Sequence, residues 1–154
     1  GYMALHDPLS NLSSIKDALE RLLRSRLCAS TPAQYGYIAG LIGGNGWMDK
    51  YLSMIKKNNE VCINKINTIN GLSVQEPKGA FYMFVRITHE YWKDKDKEFV
   101  LSLLDNKHVL TVHGSGFSKE YGEGHFRLVF LPSSDILIDA LERIDNFLQQ
   151  PITS

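Results

Sequence analysis

An arginine set early in an apolar run is the feature of this sequence with the clearest chemical potential. From Phe126 the chain reads Phe-Arg-Leu-Val-Phe-Leu. The two-residue period of a strand places Phe126, Leu128 and Phe130 on one face and Arg127, Val129 and Leu131 on the other. Burying a guanidinium in such a strand is costly unless an anion meets it. Its planar fork suits a carboxylate or a phosphate, held by two parallel hydrogen bonds. A neighbouring Glu or Asp, or water reached by the head, would satisfy it equally well. Directly upstream, Gly114, Gly116, Gly122 and Gly124 punctuate a loop in which the backbone can take positive φ and approach a ligand closely. Arg127 is therefore the candidate binding residue, and Gly114, Ser115, Gly116 and Phe117 form the candidate loop beside it.

Other chemistries find little support. The five histidines, His6, His89, His108, His113 and His125, show no pair four residues apart and no CxxC to complete a metal set, although His113 and His125 flank the glycine loop. No phosphate-binding loop with a terminal Gly-Lys-Ser/Thr occurs, and Gly114-Ser115-Gly116 is not a nucleophile elbow. Cys28 and Cys62 read as small buried or half-buried thiols and not as a disulfide framework. Lys93, Lys95 and Lys97 alternate with aspartates and read as a solvated turn. The aromatics Phe81, Tyr82, Phe84, Phe126 and Phe130 read as core packing.

The 154 residues are 44% hydrophobic and 22% charged, with 17 basic and 17 acidic residues in balance. That composition is ordinary for a globular protein and gives no electrostatic footprint for nucleic acid or an anionic membrane. No apolar run approaches the ~20 residues that a membrane span needs, and no stretch is read as a signal peptide. The expected location is the cytoplasm.

The elements that must position Arg127 can be read in order. Gly1 to Leu5 reads either as a short strand whose sheet is missing or as an end left loose, with Gly1 to Pro8 expected loose or borrowed by another chain. A helix starts at Ser13 or Ser14, with a weak capping box over Ser14–Asp17, a stripe of Ile15, Ala18, Leu19, Leu22, Leu23 and Leu27, and a surface pair of Glu20 with Arg24. Thr31-Pro32-Ala33-Gln34 starts a second helix, ended by Gly43-Gly44-Asn45-Gly46, in which Gly36 and Gly40 permit close packing. A long helix follows from about Trp47 to Ile69, with Tyr51, Leu52, Ile55, Cys62, Ile66 and Ile69 as its apolar positions. Then strands and helices alternate: Leu72–Gln75, Ala80–Ile87, a helix with Phe99, Val100, Leu103 and Leu104 inward, Val109–Val112, the Phe126 strand, and a last helix with Ile136, Ala140, Leu141, Ile144, Phe147 and Leu148 on one face. The expected fold is α+β: a long linking helix, then a ββαββα domain whose mixed or antiparallel sheet is covered by helices. The expected divisions are 1–46, 47–71 and 72–154, with the domain boundary inside the long helix.

Gly-Ser-Gly-Phe at 114–117, then His125-Phe126-Arg127 and an apolar run ending in Leu131-Pro132, resembles the carboxy-terminal signature of fold-type I aminotransferases dependent on pyridoxal phosphate, in the alanine aminotransferase branch. Pro77–Phe84 resembles that family's Pro-x-Gly-Ala-Phe-Tyr-x-Phe, and Arg26–Gln34 its segment after the lysine loop. The resemblance implies that Arg127 grips the α-carboxylate of an amino-acid substrate. It implies an enzyme that moves an amino group between an amino acid and a 2-oxo acid, working as a homodimer. It also implies that the cofactor's lysine and phosphate arginine lie upstream of Gly1. The chain would then be the carboxy-terminal part of the enzyme, an excised domain or a proteolytic fragment. It would be inactive alone, without catalytic or cofactor-binding residues of its own, and would not hold pyridoxal phosphate covalently. Residues 1–46 would be a remnant of the large cofactor domain. The residues by themselves also admit a non-catalytic α+β domain that binds a small anion or a protein partner.

Overall fold

The computed structural model describes residues 3–26, 28–44 and 46–151. They divide into two compact units, 1–47 and 48–154. The division falls ahead of the long helix and not within it, because that helix buries its own face in the second unit's core.

In the first unit α1 (Ser13–Leu23) and α2 (Thr31–Ile42) contain no buried residue. Leu22, Leu41 and Ile42 are about 70–80% exposed, so the apolar stripe legible in the sequence faces outward. Met3 to Leu5 is not a strand, and Met3 is 71% exposed; Gly1, Tyr2, Leu27 and Asn45 lie outside the described residues. The Ser14 capping box does not form. Instead the Asp7 carboxylate accepts the backbone N–H groups of Asn11 and Leu12, and Asp17 pairs with Arg21 at 2.7 Å in place of Glu20 with Arg24. Ser30, not Thr31, precedes the first turn of α2, and Gln34 reaches back to donate to the Ala29 carbonyl. Gly36 and Gly40 have open space around them.

The second unit is a two-layer α+β domain. After α3 (Asp49–Ile66) come β1 (Leu72–Val74), β2 (Tyr82–Ile87), α4 (Asp96–Lys107), β3 (Val112–His113), a 3-10 turn at Gly114–Gly116, the short α5 (Lys119–Gly122), β4 (His125–Val129) and α6 (Ser134–Leu148). The sheet order is β1-β2-β4-β3 and every pairing is antiparallel. Strand alternation sends Met83, Val85, Ile87, Phe126 and Leu128 to one face, where Cys62 and Ile66 of α3, Phe99 and Leu103 of α4, and Leu141 and Ile144 of α6 meet them. Phe99 sits among Phe126, Phe147 and Trp92 at ring separations of 5.5–5.8 Å. Several boundary readings shift. Leu104 and Ile136 lie on exposed helix faces, Tyr51 and Leu52 are exposed on α3, and the Val109 strand shrinks to two paired residues. Tyr82 and Phe84 belong to the sheet face opposite the core, unlike Phe126 and Phe130.

One buried amide ties the layers together. Asn58 of α3 is 2% exposed, and its Nδ2 donates to the carbonyls of Phe130 (2.9 Å) and Pro132 (2.8 Å). Its Oδ1 accepts the Ser134 hydroxyl at 2.9 Å. The end of β4 and the start of α6 are thereby pinned to α3, and carbonyls just past the sheet ladder are satisfied. Asn58→Ala strands three polar groups at ~1–3 kcal/mol for each that stays dry, so a loss of about 2–4 kcal/mol is expected. The check is a lower urea midpoint with an unchanged slope.

Candidate functional site

The outer face of the sheet is the side that the helices leave open. It carries Tyr82, Phe84 and Arg86 from β2 and His125, Arg127 and Val129 from β4. In the register Arg127 lies between Phe84 and Val112, in the two central strands' neighbourhood, where the backbone is hydrogen-bonded on both sides. Its guanidinium carbon is 4.6 Å from the centroid of Phe117 and 5.4 Å from that of Tyr82. Cation–π attraction to two rings holds the head without consuming its N–H groups. Arg127 Nε is buried and has no hydrogen-bond partner, and among the described residues no carboxylate pairs with this arginine. Arg127 is half-buried, and a guanidinium whose buried Nε is unpaired has the donors to meet an anion.

The glycine loop works differently from the sequence expectation. Gly114 and Gly122 approach each other through their backbones so closely that a Cβ on either would overlap the other's carbonyl. The absent side chains therefore serve contact between two stretches of the loop, not contact with a ligand. The amides of Ser115, Gly116 and Phe117 are also already paired within the protein. Ser115 N–H donates to the Asp96 carboxylate at 2.8 Å, Gly116 N–H to His113 Nδ1 at 3.1 Å, and Phe117 N–H to the Gly114 carbonyl at 2.9 Å. No anion cradle remains there. The loop's product is the placement of Phe117, whose ring meets Phe84 edge-on at 5.6 Å and covers Arg127.

A backbone N–H can only donate, so His113 Nδ1 is the acceptor of the Gly116 bond. The same nitrogen lies 3.9 Å from Asp96 Oδ2. The Ser115 hydroxyl, 3.0 Å from the same nitrogen, completes the turn. Sequence reasoning missed Asp96, Tyr82 and Phe84 as parts of the site. Asp96 lies in a Lys-Asp alternation that reads as solvated, yet it is 4% exposed in the first turn of α4. Its position at the start of a helical period is the signal that separates it from Asp94.

The histidines and cysteines do not gather into a further centre among the described residues. His113 pairs in register with Phe126 and His125 with Arg86, and among the described residues no group of three His, Cys, Asp or Glu is placed to hold a metal. Cys28 is exposed, contrary to the sequence expectation. Cys62 is buried, which pushes its thiol up to about 11 and leaves it unreactive. Among the described residues no helix is long and apolar enough to cross a membrane.

A helix-backed antiparallel sheet with an arginine on its open face defines a two-layer α+β domain. The family model for class I and II aminotransferases matches residues 1–144, and the chain belongs to that family. Among curated relatives, the alanine aminotransferase of Mycobacterium tuberculosis is 34% identical over 151 residues, which is 96% of this chain and 35% of that protein. The glutamate-pyruvate aminotransferase AlaA of Escherichia coli is 32% identical over 153 residues, 96% of this chain and 37% of that protein. The solved structure of the alanine aminotransferase from Pyrococcus furiosus superposes with a TM-score of 0.86 at 47% identity, covering 92% of this chain and 36% of that one. The chain thus spans about a third of the length of these relatives.

The loop contact makes a paired prediction. Gly114→Ala forces backbone apart in a closed turn and should cost about 3 kcal/mol or more. Gly36→Ala, in open space within α2, should be neutral or stabilise by up to about 1 kcal/mol from helix propensity. Thermal melts of the two variants beside the parent chain check the contrast.

Proposed function

We propose that this chain is the carboxy-terminal part of an alanine-type aminotransferase dependent on pyridoxal phosphate, and that Arg127 receives the α-carboxylate of its substrates. The enzyme would transfer an amino group between an amino acid and a 2-oxo acid, as a homodimer. The observation that carries this reading is the Arg127 head, ring-flanked, with a buried Nε that no group among the described residues satisfies. Both substrate classes share the planar, bidentate group that such a head is built to grip.

Pyridoxal phosphate, when bound, supplies an electron sink for bond changes at the amino-bearing carbon. The loop amides at 115–117 are already paired and offer its phosphate no donors. This chain's contribution is recognition. The Arg127 fork fixes the two carboxylate oxygens and so orients the carbon that bears the amino group. Phe117 and Tyr82 border the guanidinium and lower the local dielectric, which strengthens the charge-assisted hydrogen bonds.

In the full-length, cofactor-loaded enzyme Arg127→Ala should lower kcat/KM for amino acids at least about a hundredfold, since a bidentate charged contact is worth ~3 kcal/mol or more. Arg127→Lys should recover part of that loss, an ammonium being a single-point donor. Primary amines without a carboxylate should respond little. Unchanged amino-acid turnover in Arg127→Ala, or an equal loss for amines, would make Arg127 a structural residue.

A further inference from the structure

Arg127 is aimed by rings and not by hydrogen bonds. Its Nε has no partner, and the Phe117 centroid at 4.6 Å is the nearer of its two aromatic contacts. Phe117 itself is 51% exposed and has no core contact to lock it, so its place depends on the loop that carries it. That loop is linked by a hydrogen bond to one side chain outside its own strand and turn: the Asp96 carboxylate, which accepts Ser115 N–H at 2.8 Å. Asp96 is 4% exposed in the first turn of α4, where the helix dipole favours a carboxylate. The neighbouring His113 ring lies beside it, with Nδ1 3.9 Å from Asp96 Oδ2. A buried carboxyl oxygen that accepts a loop amide at 2.8 Å tethers that amide to α4.

We propose that Asp96 is a positioning residue for substrate recognition: its carboxylate fixes the loop that lays Phe117 on the Arg127 guanidinium, and so sets the direction in which Arg127 offers its fork. The inference rests on Arg127 as the carboxylate receptor. It adds a specific chain of dependence, from Asp96 through Ser115 N–H and Phe117 to Arg127.

The test uses the full-length, cofactor-loaded enzyme, with an amino acid and with a primary amine that lacks a carboxylate. Asp96→Ala should raise the amino-acid KM about tenfold, the weight of one charge-assisted hydrogen bond, while kcat stays within about twofold. Amine turnover should not move. Asp96→Asn, which keeps an acceptor oxygen, should raise KM only about threefold, a neutral acceptor being roughly half as strong. In a Phe117→Leu background, Asp96→Ala should add nothing further, because the ring through which Asp96 acts is gone. Equal losses for amino acid and amine, or an additive double variant, would overturn the proposal by showing a general structural role. Should Asp96→Ala not fold, Asp96→Asn in the two backgrounds makes the same comparison on the smaller effect. The two assignments fail separately. An unchanged amino-acid KM in Arg127→Ala removes the receptor itself. A raised KM in Arg127→Ala beside an unchanged one in Asp96→Ala removes only the positioning role.

Discussion

The backbone contact between Gly114 and Gly122 is the constraint on which the site depends. Two turns of one loop touch without any side chain between them, and that closure leaves the loop compact enough to sit over the open face of the sheet. Within it every amide from Ser115 to Ser118 has an acceptor, so the loop is held as a unit and not residue by residue. The consequence is carried by Phe117, which is the loop's aromatic reach toward Arg127. A looser loop would leave the arginine's head to solvent, and a guanidinium in water is a weak and undirected receptor.

Strand β4 separates two environments by its period alone. Phe126 and Leu128 enter a core shared by three helices, while His125, Arg127 and Val129 face the other way. The stability of the core face sets the position of the functional face, since a one-residue slip would exchange them. The downstream end of the strand is secured by Asn58, whose amide occupies the Phe130 and Pro132 carbonyls and the Ser134 hydroxyl together. A buried polar residue with every group satisfied specifies one arrangement of α3, β4 and α6, where apolar packing alone would tolerate several.

Much of this fold was legible because burial imposes a period. The alternation around Phe126, the helical stripe of Phe99, Val100 and Leu103, and that of Leu141, Ile144 and Phe147 are each visible in one dimension and each buried in three. Where the period weakens, the reading failed. The Val109 strand keeps only Val112 and His113 in the ladder, because it is a sheet edge with one neighbour. Tyr51, Leu104 and Ile136 are apolar by type yet exposed, and an apolar residue on a surface breaks no rule. The stripes of α1 and α2 are also real periods, but the described residues include nothing that buries them.

By itself the sequence determined which strand carries the arginine, which faces of the helices are apolar, and, through the motifs around Arg127, the family. These follow from local spacing and residue type. Only the tertiary structure decided what the glycines are for, because a close approach between positions eight residues apart depends on how the chain closes and not on composition. It alone turned Asp96 from one charge in a Lys-Asp alternation into the buried acceptor of a loop amide, and turned Asn58 from a polar residue on a long helix into the pin between layers. Hydrogen bonds between groups 19 to 76 residues apart have no period, so they leave no mark along the chain.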